Sequence, residues 1–378
     1  MKTKNLAALA ALATLLGVAG ASAAPFLSGS TGAYGPINIT SNTVLAMPAD
    51  GVFHCTTINV GNGFTLRFTM NPLNTPVYLL ASGAVTITGT IELSGSINVG
   101  GAPGVGGPGG FDGGYGGFGV AANTTGGDGQ GPGGGRNISQ WWGAAHVSAS
   151  FFNTNKYGNA LCSPLIGGSG GGGGSGNPGN GGGGGGGAIL IAANTSITVN
   201  GTIRANGGTG QGGGSAGAIR LVSPLVNGSG NLTVNGGGAY TGYGGSDGRI
   251  RVDCEDRYAF RSLIMNGTAT RGAQMFVFPP APIARLDIIE AAGTAIPEGT
   301  GNIVQVDLPA GSTINRTVRV QGRNFTGIVP ITVIVIPENR PATRYNAQID
   351  MGGGNPSEVT VNVIVPDGTI SRIQTWTR

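Results

Sequence analysis

Between residues 100 and 248 the chain breaks into glycine-rich sequence four times, at 100–119, 167–187, 207–217 and 236–248, and three of the breaks return it to one short apolar alternation. The segments AILIAANTSITVNGTIRANGG and AIRLVSPLVNGSGNLTVNGGG are variants of that pattern. A glycine tract has no side chains with which to build a core, and ordering it is entropically expensive. Each tract must therefore be held by something beside it.

Glycine supplies 77 of 378 residues, nearly three times the usual share of about 7%. Charged residues are only 10% and hydrophobic residues reach 39%, so this is not the charged, apolar-poor composition of a disordered chain. A β-rich fold is expected. Lys2 and Lys4, an apolar run from Leu6 to Val18 and the triplet Ala21-Ser22-Ala23 have the order of a secretory signal, which predicts a signal peptide over 1–23 and a mature chain starting near Ala24. No later apolar run approaches the roughly 20 residues of a transmembrane helix, and the product is expected to be secreted, extracellular or held at the cell surface. Without Lys2 and Lys4 the net charge is close to zero, and most arginines are spread among acids from Arg204 onward. That distribution makes nucleic acid an unexpected partner, because phosphate binding needs clustered cations.

Aligned by alternation, the repeat is a strand ending in small residues, a gap, and a second strand running into Gly-Thr-Ile or Gly-Gly. Its copies are 77–81 with 85–91, 189–192 with 197–203, 219–222 with 232–236, and a truncated 250–252; the last three begin about 30 residues apart. Alternation such as Ile-Thr-Val-Asn puts apolar groups on one face, and a single copy cannot bury that face alone. The runs 52–60 and 64–70 fit the same scheme. The economical architecture over 24–278 is an all-β β-solenoid of the right-handed parallel β-helix type, with glycine tracts extruded from one corner.

The tracts carry a finer frame. Positions 101, 104, 107, 110, 113, 116 and 119 are all glycine, as are 167, 170, 173, 176, 179, 182 and 185; in the fourth tract 236, 242, 245 and 248 are, with Ala239 completing the row. A three-residue repeat with one bare face is what packed polyproline-II-type helices require, as in polyglycine II. Collagen does not fit, since proline is nearly absent from the flanking positions. The alternative is a flexible linker looped out of the body.

TPVYLLASGAVTITGTI leading into glycine, followed by GGGGAILIAANTSITVNGTIRANGG, resembles glycine-rich exported bacterial surface proteins with β-solenoid-like repeats, mostly of unassigned function. The resemblance covers roughly residues 50 to 252 and implies a structural role at the surface, with no catalytic residues to transfer. Polyglycine-II bundles among adhesins and antifreeze proteins are a more distant analogy.

Residues 136–166 interrupt the glycine with Trp141, Trp142, Phe151, Phe152 and Tyr157. Exposed aromatics supply much of the contact area in binding hot spots, so these five are candidates for carbohydrate or partner contact; the alternative is that they cap the glycine tracts. Cys55, Cys162 and Cys254 allow one disulfide and one thiol in an exported chain, and a bridge from Cys162 to Cys254 would staple the insertion to the body. Two histidines, His54 and His146, and no Cys-x-x-Cys spacing give no expected metal site.

Beyond residue 278 glycine thins and seven short β-runs follow, at 285–289, 303–308, 317–321, 331–336, 345–349, 359–365 and 370–376. That spacing over 279–378 reads as an immunoglobulin-like β-sandwich. Residues 359–365 could also pair with an edge strand of another copy.

No paired carboxylates, Ser-His-Asp set or phosphate loop stands out, and Gly-x-Gly-x-x-Gly recurs only as a by-product of glycine richness. Asp112, Asp128, Asp247, Asp253, Glu255 and Asp256 are read as solvated turn residues rather than a catalytic or calcium cluster. An enzyme is not expected, and no cofactor is assigned. The expectation is a structural or adhesive surface protein that self-associates into a filament or matrix. Carbohydrate binding through the aromatics is the alternative, and ice binding through Thr86, Thr88, Thr90, Thr198 and Thr202 a further one.

Overall fold

The computed structural model describes residues 25–117, 125–137, 142–150, 153, 155–176, 179–241, 243–256, 258–279, 281–309, 311–338 and 341–377. The expected signal peptide, Trp141, Phe151 and Phe152 lie outside them. The described chain is all-β, and its one helical element is a single 3-10 turn at Met351–Gly353.

Seven strands precede the first glycine tract: β1 (Gly35–Ile39), β2 (Thr43–Ala46), β3 (Val52–Val60), β4 (Thr65–Thr69), β5 (Val77–Ala81), β6 (Val85–Ile87) and β7 (Thr90–Glu92). After the second tract come β8 (Ala188–Ala193), β9 (Ser196–Val199) and β10 (Thr202–Arg204), and after the third β11 (Ala218–Val222), β12 (Leu225–Asn227) and β13 (Asn231–Thr233). The fourth is followed by β14 (Arg249–Asp253), β15 (Ile264–Asn266) and β16 (Thr268–Gly272). The copy expected to be truncated at 250–252 therefore continues, with β15 and β16 drawn from sequence that lacks the Thr-Val-Asn-Gly signature.

All pairings among these strands are parallel. One sheet runs β12-β9-β6-β3-β5-β8-β11-β14-β16 with β1 beside β3, and the other runs β15-β13-β10-β7-β4-β2. The nine-residue β3 gives its first half to β5 and its second half to β6, so the ten-stranded sheet curls around it. Inward side chains stack in register: Val77, Ile189, Ile219 and Ile250 form one column, and Leu66, Ile91, Ile203 and Leu232 another. These β-branched and leucine columns are fully buried in a core shared by both sheets. Like residues stacked across a parallel ladder suit the pleated surface, which is why short three-residue strands suffice.

The first two tracts together fill the gap between β7 and β8, the third that between β10 and β11, and the fourth that between β13 and β14, all at the same corner. They form a hydrogen-bonded layer without β-ladders. Phe111, Gly114 and Gly117 donate to the carbonyls of Gly168, Gly171 and Gly174 at 2.9, 2.9 and 2.7 Å. Gly168, Gly171 and Gly174 donate in turn to Gly186, Gly183 and Asn180, and Gly183 and Gly186 to Gly212 and Ser215. Every third N–H points to one neighbour, the periodicity of a three-residue helix.

Within the tracts positive φ is confined, among the described residues, to Gly100, Gly109 and Gly176. Glycine is needed here for its missing Cβ rather than for its backbone freedom. A Cβ on Gly104, Gly107, Gly110, Gly113 or Gly116 would lie under 3.0 Å from backbone atoms of an adjacent segment, which is the bare frame expected of the first tract. Its other positions mix Val105, Pro108, Phe111 and Tyr115 with further glycines, of which Gly114 is also crowded by the backbone of Gly127. The second tract is glycine in nearly every position, interrupted by Ser169, Ser175 and Asn180 among the described residues, and it has neighbours on several sides: Gly170 abuts Asp112 O, Gly171 abuts Gly212 O and Gly184 abuts Val105 O.

Residues 279–378 hold β17 (Arg285–Ala291), β18 (Thr294–Ala295), β19 (Asn315–Arg323), β20 (Ile328–Pro337), β21 (Thr343–Asp350), β22 (Ser357–Ile364) and β23 (Ser371–Thr377). They make two antiparallel sheets, β18-β17-β19-β22 and β21-β20-β23, around Val318, Val320, Ile331, Val333 and Ile349. Six of the seven expected runs are strands, and 303–308 is not. This unit docks on the glycine layer: Phe111 meets Trp376 edge to face with centroids 5.6 Å apart, Arg372 pairs with Asp112 at 3.3 Å, and Arg344 approaches Asp128 at 3.9 Å. The few side chains that the glycine layer carries are thus its attachment points.

Candidate functional site

The densest chemistry lies on the outer face of β5, β8, β11 and β14. Outward positions of these strands read Tyr78, Leu190, Arg220 and Arg251 in one row and Leu80, Ala192, Val222 and Asp253 in the next. Phe26, Cys162, Leu165 and Val277 cover them, so β8 is buried on both faces, as its unbroken AILIAA implies. Arg220 and Asp253 are 0% exposed. Arg220 donates to Asp253 Oδ2 from Nε (3.3 Å) and Nη2 (3.1 Å), and Arg251 donates to Oδ1 from Nε at 3.0 Å. Arg251 Nη2 donates to Oδ1 as well, at 2.6 Å, and the Gln274 N–H adds a fifth donor at 3.0 Å, while the Arg220 guanidinium lies 4.3 Å over the Phe276 ring. Burial lowers the Arg220 pKa and Asp253 opposes that shift.

Asp253 is therefore no solvated turn residue. Among the described residues it is the one carboxylate that holds two buried guanidinium groups, and it ties residues 274–276 across the ladder. The signal was present in the sequence: arginines one repeat apart at outward positions of strands whose neighbours are apolar on both faces. Asp112 and Asp128 face the C-terminal unit, and Asp247 accepts the Gly236 N–H at 3.0 Å. Among the described residues no three His, Cys, Asp or Glu side chains converge as metal ligands.

The expected Cys162–Cys254 bridge is not formed. Cys162 belongs to the outer apolar cluster and Cys254 to the core between the sheets, so a sheet separates them. Burial pushes the Cys162 thiol up to about 11 and Cys55 to about 12. The insertion is fastened by other means. Ala144 donates to Gly213 O and Ser246 to Ala144 O, both at 2.9 Å, so this stretch is itself part of the glycine layer. Tyr157 stacks on His146 with centroids 4.4 Å apart, donates from its hydroxyl to Gly167 O at 2.8 Å, and accepts from Ser169 Oγ at 3.0 Å. The half-buried Trp142 lends its carbonyl to Gly172 N–H at 3.0 Å. Tyr157 is thus committed to internal contacts, and Trp142 joins the layer through its backbone carbonyl.

His146 is 1% exposed, and Nδ1 lies 2.7 Å from Ala216 O, which assigns the proton to that nitrogen. Burial, before any other cause, lowers its pKa from 6.5 to about 4. The unfolded chain takes up this proton near pH 6.5 while the native chain resists it, so stability present above pH 6.5 is lost as pH falls through 4. The unfolding free energy from urea titrations should drop across that window by on the order of 3 kcal/mol, and a His146→Gln variant should show a flatter profile.

Four of the five threonines are divided between the two sheets, and Thr88 lies in the turn between β6 and β7. Thr86 and Thr198 are register neighbours on β6 and β9, in a row with Asn38, Asn59 and Asn227, whereas Thr90 and Thr202 pair on β7 and β10. Thr88 turns its hydroxyl to Val60 O at 3.0 Å. In the C-terminal unit an open groove of about 690 Å³ lies beside Arg316, Tyr345 and Asn362.

Comparisons with protein-family models, curated proteins and solved structures find no match for this chain. Function must be argued from the geometry alone. No helix among the described residues is long and apolar enough to cross a membrane.

Proposed function

We propose that the protein is a secreted structural or adhesive element of the cell surface, built as a β-solenoid with a polyglycine-II layer and ending in an immunoglobulin-like sandwich, and that copies of it self-associate into a filament or matrix. The observation that carries this reading is the glycine layer, in which the bare positions lie against neighbouring carbonyls and the N–H groups are shared among adjacent segments. Such a layer is suited to transmit load between copies. The tyrosine and arginines that an enzyme could have used are spent on holding the insertion and residues 274–276 in place.

Electron microscopy of the purified mature chain over a concentration series tests the reading: ordered fibres or sheets are expected, and a chain that stays monomeric at every concentration would overturn it. The uncharged Asn-Thr row on β1, β3, β6, β9 and β12 favours a second reading, binding to an ordered surface such as ice. Strands there repeat at about 4.8 Å, and an ice-recrystallisation assay decides it.

A further inference from the structure

Residues 303–308, Ile-Val-Gln-Val-Asp-Leu, have a strand's composition, yet among the described residues they share no ladder and no backbone hydrogen bond with any other segment. Ile303 is 67% exposed, and Val304 and Leu308 are also exposed. A run of apolar side chains held in water costs free energy unless something covers it. The same unit has an open strand edge. β22 is the last strand of its sheet, and the Ile364 N–H, which donates to the Tyr345 hydroxyl at 2.9 Å, points away from β19. By the two-residue period of a strand, the backbone groups of Glu358, Thr360 and Asn362 face that open side too.

The groove at the end of this edge contains an unmet donor. Arg316 stands in register with the buried Val363, on the inward side of the sheet, and its Nε is buried without a hydrogen-bond partner. A buried, unsatisfied guanidinium nitrogen is costly and calls for an acceptor. Asp307, at the end of the unpaired segment, carries an exposed carboxylate bonded to Gln305 Nε2 at 2.8 Å. No described residue of 301–311 lines the groove of its own chain.

We infer that residues 302–308 of one copy add as a strand to the β22 edge of a second copy, with Asp307 entering its groove to pair with Arg316. The inference rests on the self-association reading above and gives it a mechanism. Segment and edge are different surfaces of the same unit, so the contact is heterologous and can propagate from copy to copy into an open chain where its rotation does not close.

Sedimentation velocity and electron microscopy on the full mature chain test it with charge reversals. Asp307→Arg alone and Arg316→Asp alone should each raise the concentration needed for assembly by at least about tenfold, while an equimolar mixture of the two should assemble again, because each then meets an opposite charge on the other. Val304→Pro with Val306→Pro, in an exposed segment that takes no part in the native ladders, should abolish assembly without altering the circular dichroism spectrum. Should the mixture remain dispersed while only the doubly reversed chain recovers, the segment closes on its own groove and the inference fails. If the proline variant assembles like the parent, strand addition is wrong but self-association stands; if the parent never assembles, both fall.

Discussion

Gly182→Ala should destabilise the protein by about 3 kcal/mol or more, and Gly238→Ala should leave it nearly unchanged. Helix and strand propensities do not distinguish the two sites, and neither glycine has positive φ. The difference is what a methyl group would touch. At Gly182 it would meet the backbone of Gly171 and Gly172 at under 3.0 Å, and Gly171 is itself pinned by hydrogen bonds to Gly114 and Gly183. At Gly238 the nearest atoms are the Thr209 side chain at 3.4 and 3.7 Å, ordinary contact distances. A flexible tract would accept both substitutions, since Gly→Ala in an unstrained loop stabilises slightly through the unfolded chain. Urea unfolding of the pair separates the two possibilities, and equal midpoints would refute close packing.

Asp253→Ala should cost about 3–5 kcal/mol, because it strands Arg220 and Arg251 without their counter-charge in a space that excludes water. Removing one partner of a buried ion cluster costs more than the cluster contributes, since the remaining charges keep their desolvation penalty. Asp253→Asn should recover part of the loss by keeping an acceptor for the Gln274 N–H and for one arginine. Glu255→Ala, at an exposed position two residues away, should stay within about 0.5 kcal/mol of the parent. A loss below 1 kcal/mol for Asp253→Ala would mean that water reaches the cluster.

The parallel body was legible in its alternation, but the match of Ile-Thr-Val-Asn-Gly at 197–201 with Leu-Thr-Val-Asn-Gly at 232–236 is out by one strand: Ile197 pairs with Val226 on β12, and Leu232 pairs with Ile203 on β10, in the other sheet. The bare frame of the first tract was also legible, since glycine recurs there at every third position and a Cβ at 104, 107, 110, 113 or 116 would strike backbone of an adjacent segment. Position 253 was not, because an aspartate after a strand reads as a turn residue until the covering segments at 159–166 and 274–278 are known, and those carry no repeat. The Cys162–Cys254 pairing failed for a related reason. Sequence gives the spacing of two cysteines but not which face of a sheet each occupies, and here they lie on opposite faces. In the C-terminal unit, alternation alone did not separate 303–308 from its six neighbours, because composition reports what a segment can pair with and not whether a partner is present. The docking contacts of Phe111 and Asp112 were hidden by the glycine around them.

Amide hydrogen exchange on residues 167–187 tests the central claim most directly, that the glycine tracts form one ordered layer sheltered by the parallel strands. The amides of Gly171, Gly183 and Gly186, each donated to a carbonyl of another segment or of the returning tract, should exchange about a thousandfold or more slowly than in an unstructured glycine peptide. Exchange at the unstructured rate there, with β8 and β11 still protected, would contradict it.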